Sequence, residues 1–422
     1  MKFHATTLAI AALASSTSAA VSQSRDTATS QGKEFSIRQI KNERWKGSNA
    51  PAAYIAALAK YSPTIPNHIK HAIKVNPGLR RKFGGLLDAG NQTGTGVATP
   101  APGADSEYVI PVQIGTPPQT LPLNLDTGSS DLWVLSTDTY PSQLEGQTLY
   151  KPNASTTNKR LDGESWVIQY GDGSNASGIV YTDRVQIGNT FFTSQAIESA
   201  ITVSDDISDD TFSSGLIGAA SSNANTVRPD RQLTYLDNIK NQLVKPVFTA
   251  NLKKGQPGNY NFGYINASEY TGNIQYAAIN PQSPLWEISV SGYRIGSNET
   301  NYVARVWNAI ADTGTSLLLA PIDIVNAYYK QVNGSTFNND YGMMVVPCKS
   351  TLPDFAFALG TYRGVIPGSY INYGKMSRVY CFGGLQSSED APFAVLGDIA
   401  LKAQFAVFDM ANKVVGFANK PL

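Results

Sequence analysis

Histidine is nearly missing from this chain. Its 422 residues include three, His4, His68 and His71, and none lies beyond residue 97. The remainder therefore offers no Ser-His-Asp or Cys-His apparatus and no imidazole-bound metal. Cysteine is as scarce, with Cys348 and Cys381 alone and no Cys-x-x-Cys spacing. In an exported chain two such cysteines close one disulfide; otherwise they stay as buried thiols. Charged residues make up only 15% of the chain, while Gly, Ser, Thr, Asn and Tyr are plentiful. That balance suits a β-rich extracellular protein better than a helical cytosolic one. Long apolar runs are absent too, so no segment is expected to span a bilayer, and residues 418–422 have no hydrophobic tail of the kind removed for a lipid anchor. The expected product is soluble, with no membrane or nucleic-acid partner, no metal and no cofactor.

What is present divides the chain. Residues 1–20 have a basic start, a short apolar centre from Leu8 to Leu13 and small residues ending Ser18-Ala19-Ala20, the layout of a secretory signal. Residues 1–97 hold 13 Lys/Arg against 4 Asp/Glu, a net +9; the rest holds 20 against 28, a net −8. Two readings fit: a basic segment attracted to an acidic body and released as carboxylates protonate, or charge that merely clusters on a solvated surface. Within residues 21–97, a strand is expected over 35–40 and helices over 52–61 and 65–75, the latter with Ile69 and Ile73 one turn apart. Arg80-Arg81-Lys82 and a Gly/Asn/Thr-rich stretch to Gly103 follow; the tribasic run reads equally as a processing site or as cover for acidic surface.

From Glu107 onward the pattern is one of short strands broken by Gly, Pro, Asn and Asp, giving an all-β body. Residues 166–170 and 178–181 flank Gly171-Asp172-Gly173-Ser174 and read as a β-hairpin. Helices are few, the best candidates being 234–241, 321–331 and 400–405. Six Asn-x-Ser/Thr triplets occur, at Asn91, Asn153, Asn175, Asn266, Asn298 and Asn333; Asn175, in the hairpin turn, is expected to be bare.

The body also repeats. Asp126-Thr127-Gly128-Ser129-Ser130 is matched by Asp312-Thr313-Gly314-Thr315-Ser316, and each is followed by an apolar-apolar-Gly, Leu216-Ile217-Gly218 and Val395-Leu396-Gly397. Two such pentads arise by chance with odds on the order of one in a million. A repeat of this length indicates two similar lobes. Each Asp follows an apolar strand, Gly lets the chain turn beside it, and the next hydroxyl is placed to orient the carboxylate. Facing one another, Asp126 and Asp312 cannot both ionise easily and share a proton. One takes a proton from water while the other polarises and protonates a carbonyl.

These residues resemble the pepsin family of aspartic peptidases, most closely its secreted fungal branch, the penicillopepsin and aspergillopepsin type. The matching segments are residues 108–115, 125–134, 170–178, 215–218, 310–317 and 396–418. The resemblance implies a bilobal all-β fold with the cleft between lobes: signal 1–20, basic inhibitory prosegment 21–97, N-terminal lobe 98–285 and C-terminal lobe 286–422. It implies a secreted, monomeric endopeptidase acting on proteins and peptides at acid pH, made as a precursor that its own prosegment inhibits. Asp126 and Asp312 would be catalytic, Ser129 and Thr315 would hydrogen-bond them, and Thr127 and Thr313 would brace the loops around Gly128 and Gly314. Tyr170 would close over substrate on a flap tipped by Gly171 and Gly173, steadied by Trp133, with Leu216 and Ile310 as subsite walls. Asp172, with Ser174 beside it, would either pair with a P1 lysine, next to a preference for large apolar residues, or simply form the turn. Cys348–Cys381 would be the single bridge of this branch, since residues 131–150 lack the extra cysteine common in digestive and vacuolar relatives. Lys60 before Tyr61 and Lys82 before Phe83 are both candidates to block the dyad. Acid would loosen the plug by neutralising carboxylates and charging His68 and His71.

Overall fold

The computed structural model describes residues 32–40, 49–62, 64–84, 87, 108–169, 175–389 and 391–422, all within the unit Gly32–Leu422. The expected signal, Asn91 and the hairpin tip Tyr170, Gly171, Asp172, Gly173 and Ser174 lie outside the described residues.

Two seven-stranded sheets carry the repeat. In the first, the strand Gln119–Asp126 buries Leu121, Leu123 and Leu125 by alternation. It runs parallel to Gly215–Gly218, with Asp126 opposite Gly218, and Gly215–Gly218 pairs antiparallel with Leu132–Val134. In the second sheet, Tyr302–Ala311 runs parallel to Ala394–Leu396, which pairs antiparallel with Leu318–Ala320. Each half therefore takes the strand that leads to Asp-Thr-Gly, lays the apolar-apolar-Gly strand beside it, and adds the strand that leaves the loop. The hairpin expected around the Gly/Asp turn forms from Lys159–Gln169 and Asn175–Ile187, starting at the pair Gln169 and Asn175.

A six-stranded sheet draws on the whole chain, in the order Phe35–Arg38, Asn259–Phe262, Val247–Asn251, Gln404–Asp409, Val414–Asn419 and Thr271–Ala278. A four-stranded sheet, 336–383, holds the disulfide Cys348–Cys381, whose sulfurs are 2.02 Å apart. The fold is bilobal and β-rich with few short helices.

The expected helix over 400–405 is corrected. The helix is Asp398–Leu401, and Gln404–Asp409 is a central strand, flanked on both sides and buried at all but its last residue. A strand buried on both faces shows no alternation, so its apolar run reads like a helix. The basic segment contributes three helices, α1 (Ala50–Tyr61), α2 (Asn67–Val75) and α3 (Pro77–Phe83). Asn49 caps α1 by accepting from Ala52 N at 3.2 Å, and Asn76 caps α3 by accepting from Gly78 N and Leu79 N at 3.0 and 3.2 Å. Tyr54, Ile55, Leu58, Ile69 and Phe83 join the main core of the body.

Candidate active site

Each Asp-Thr-Gly loop rests on a glycine. A side chain at Gly218 would meet Asp131 N at 2.5 Å, and one at Gly397 would meet Leu317 O and Thr315 O at 2.3 Å. With no Cβ in the way, the loops hydrogen-bond the strand ends directly: Gly218 N to Asp131 O at 2.8 Å, Ala219 N to Asp126 O at 2.7 Å, and Asp398 N to Thr315 O at 2.7 Å. The repeated apolar-apolar-Gly is thus the seat of the loop.

The two loops are tied to each other by their threonines. Thr127 N donates to Thr313 Oγ1 at 3.1 Å and Thr127 Oγ1 donates to Ala311 O at 2.8 Å. Reciprocally, Thr313 N donates to Thr127 Oγ1 at 3.0 Å and Thr313 Oγ1 to Leu125 O at 2.6 Å. All four groups are buried, and satisfying them across the lobes fixes one loop against the other.

Asp126 and Asp312 are 1% and 0% exposed. Gly128 N and Gly314 N each donate 2.8 Å bonds to the Oδ1 of the aspartate two residues before. Neither glycine adopts a positive φ among the described residues. Their smallness serves the opposite loop: a Cβ at Gly128 would lie 2.6 Å from Asp312 Cγ, and one at Gly314 would lie 2.1 Å from Asp126 Oδ1. The turn expected at these positions is therefore not the reason for glycine; close approach of the carboxylates is.

Thr315 Oγ1 donates to Asp312 Oδ2 at 2.5 Å. Ser129 Oγ, also buried, makes no corresponding hydrogen bond, and both oxygens of Asp126 are instead taken by Lys60. Lys60 Nζ stands 3.2 Å from Asp126 Oδ1, Asp126 Oδ2 and Asp312 Oδ2, and Tyr61 OH donates to Asp312 Oδ2 at 2.5 Å. Tyr61 packs edge-on against Phe393, with centroids 5.2 Å apart. Of the two candidate lysines, Lys60 is the one on the dyad; Lys82 lies on α3, beside the ring of Phe83. Tyr61 was not anticipated, yet the sequence held a signal: Tyr61 brings a second donor where Phe83 brings none.

Burial raises the Asp126 carboxyl to about 6, with Lys60 opposing and Asp312 adding to the rise. Burial also works against the Asp312 carboxylate, but Lys60 and hydrogen bonds from Asp126, Thr315 and Tyr61 outweigh it and hold it at about 2. One anion and one proton-holding partner is the state in which two adjacent carboxyls work as base and acid.

Trp133, on Leu132–Val134, is buried and stacks on Trp166 at 6.2 Å between centroids. Leu216 is half-buried beside that pair, and Ile310 is buried in the strand leading to Asp312. No group of residues able to hold a metal occurs among the described residues.

The comparisons agree with this geometry. The profile of the family described as eukaryotic aspartyl protease matches residues 107–420. The chain is 44% identical to endothiapepsin of Cryphonectria parasitica over 92% of its own length and 90% of that protein's. It is 41% identical to penicillopepsin-3 of Penicillium janthinellum over 93% and 94%. The crystal structure of an aspartic proteinase from Irpex lacteus superposes with a TM-score of 0.62 at 23% identity, covering 74% of this chain and 94% of that one. With the family profile spanning most of the chain and these relatives spanning nearly all of it, this protein belongs to the eukaryotic aspartyl proteases and is an aspartic endopeptidase, a hydrolase of proteins and peptides.

Proposed function

We propose that the chain is the precursor of a secreted, monomeric endopeptidase that works at acid pH, with Asp126 and Asp312 as its catalytic residues. The body would divide into lobes 98–285 and 286–422. With Lys60 withdrawn, the two carboxyls share a proton, as dyads of this family generally do. The ionised member takes a proton from the water between them, and the protonated member polarises the scissile carbonyl and receives the developing charge. Tyr170 would close over substrate and exclude bulk water. Large apolar residues would flank the bond, and Asp172 would accept lysine at P1.

The observation that carries the zymogen reading is the single ammonium of Lys60 on both carboxylates. An extended substrate cannot reach a dyad so occupied. Residues 21–97 would be an intramolecular inhibitor anchored by β-pairing of Phe35–Arg38, by α1 on the dyad, and by α2 and α3 in the core. Export rests on the composition of residues 1–20; no helix of the described residues is long and apolar enough to cross a membrane. Asn153, Asn298 and Asn333 are exposed and suited to carry sugar. Asn266 is engaged on both sides of its amide, accepting from Ser268 and donating to Glu269 at 3.0 Å, and is better suited to stay bare.

The purified precursor should be inert toward casein at pH 7 and become active at pH 3–5, with activity abolished by pepstatin and by Asp126→Asn. A precursor that remains intact and inactive throughout pH 3–5 would overturn the zymogen reading. Pepstatin-insensitive digestion would overturn the dyad. Asp172→Asn should reduce cleavage after Lys and spare cleavage after Phe; equal loss of both removes the proposed P1 role.

A further inference from the structure

A second pair of buried carboxyls lies at the end of the Asp126 loop. Asp131 ends the loop that begins at Asp126, and Glu198 projects from Thr190–Val203 alongside Trp133. Each residue is 1% exposed. Asn225 Nδ2 bridges them, donating to Asp131 Oδ1 at 3.0 Å and to Glu198 Oε1 at 2.9 Å. Asp131 Oδ1 also accepts from Thr226 N at 2.7 Å and Thr226 Oγ1 at 3.0 Å. Among the described residues, Glu198 Oε2 is buried and has no hydrogen-bond partner.

The surroundings decide the charge. Ala196 and Ala200, two residues to either side of Glu198, belong with Trp133, Trp166 and Val180 to an apolar cluster. The charged or titratable groups facing the pair are each other and Arg228, whose Nη1 is spent on the carbonyls of Asn225 and Val227 at 3.0 and 2.6 Å. Two anions cannot be held here. Asp131, with three donors on one oxygen, is the anion, and Glu198, with an oxygen that no donor reaches, keeps the proton. Burial first, and then the Asp131 charge, lift the Glu198 carboxyl well above its ordinary range.

We propose that Asp131 and Glu198 are positioning residues that hold the Asp126 loop through Asn225 as long as Glu198 keeps its proton, and that loss of this proton sets the alkaline limit of the enzyme independently of the catalytic dyad. Asp131 anchors the loop through both its backbone and its side chain. Its backbone carbonyl accepts from Gly218 N, and its carboxylate ties the loop to Asn225 and Thr226, so ionising Glu198 places a second negative charge against the anchor. The sign follows from linkage: a carboxyl whose proton is held more tightly in the folded state stabilises fully in acid, and that contribution disappears as pH rises through the folded value.

Glu198→Gln tests this directly. Glutamine keeps an acceptor for Asn225 and supplies a permanent N–H in place of the proton. The full-length protein and its variant are held across pH 4–9, and recovered activity and near-ultraviolet dichroism are read, each normalised to its own value at pH 4. The midpoint of loss should move upward by about one pH unit or more. An unchanged midpoint overturns the proposal. If the variant does not fold, infrared spectroscopy of the Asp126→Asn protein, which lacks the dyad's own shared proton, decides instead. A protonated-carboxyl band persisting at pH 7 and vanishing on unfolding supports the assignment; no such band at pH 7 overturns it.

Discussion

Gly314 lies directly against Asp126, although 188 residues separate them in sequence: a methyl group on Gly314 would come within 2.1 Å of the Asp126 carboxylate. Gly128 bears the same relation to Asp312. Each carboxylate of the pair is thus packed on the glycine of the other loop. Gly314→Ala should force the carboxylates apart. The expected loss is on the order of a hundredfold in kcat, the scale for a displacement of about an ångström at a reacting centre. The stability cost is expected at only about 1–3 kcal/mol. Steady-state kinetics beside a thermal melt separate the two, and a variant of normal kcat would mean the carboxylates do not need this spacing.

The threonine exchange predicts the opposite balance. Removing the Thr313 hydroxyl leaves the buried Thr127 N–H without this acceptor and takes a donor from the Leu125 carbonyl. Thr313→Val, nearly equal in volume, should destabilise by roughly 2–4 kcal/mol, since each orphaned buried group costs about 1–3 kcal/mol. Thr313→Ser, which restores the hydroxyl, should recover most of that. Urea denaturation measures both.

The sequence made the dyad legible because the chemistry is spelled out twice, and the seat of each loop was legible in Leu216-Ile217-Gly218 and Val395-Leu396-Gly397. The reason for the glycines was not, because it lies in contacts between residues nearly two hundred positions apart. Helix α3 was overlooked for a different reason. Its Asn76-Pro77 start is a sound cap, but Arg80-Arg81-Lys82 dominates so short a segment, and only Leu79 and Phe83, buried in the body, show why it is helical. The apolar run at Gln404–Asp409 lacked any period to read. Glu198 gave no local signal at all, since a lone Glu in a strand does not announce the Asp131 that shares its site.

Lys60 should act as an electrostatic keystone only while the dyad is charged. Lys60→Gln leaves a buried anion without its cation, a loss of about 3–5 kcal/mol at neutral pH. The Asp312 carboxylate is held below its ordinary value by this contact, so the stabilisation it represents is present above the unfolded value near 3.8 and is lost as pH falls toward about 2. Asp126, raised to about 6, gives up its charge earlier in the descent. The difference in melting temperature between precursor and variant should therefore be largest near pH 7 and shrink steadily toward pH 2–3. A difference that does not vary with pH would show that Lys60 acts by packing alone.

His68 bears on how acid would release the segment if the chain is a zymogen as proposed. Its Nδ1 lies 3.6 Å from Glu389 Oε2, and its ring packs on Phe337 and Tyr54 with centroids 5.4 and 6.4 Å apart. Charging the imidazole beside a carboxylate adds attraction, so this histidine should hold α2 in place rather than loosen it, contrary to the expectation from sequence that protonating both histidines favours release. Release would then be driven by the carboxylates. In mild acid, His68→Gln should speed conversion of the precursor by a few-fold. Glu389→Gln should do the same, and the double variant should be no faster than either single one, the mark of two residues acting through one contact. At the strongly acid end of the range all four proteins should convert at similar rates. Conversion of each, followed by gel electrophoresis across the acid range, makes the comparison; a His68→Gln precursor slower than the parent in mild acid would show that the charged histidine works to open the segment.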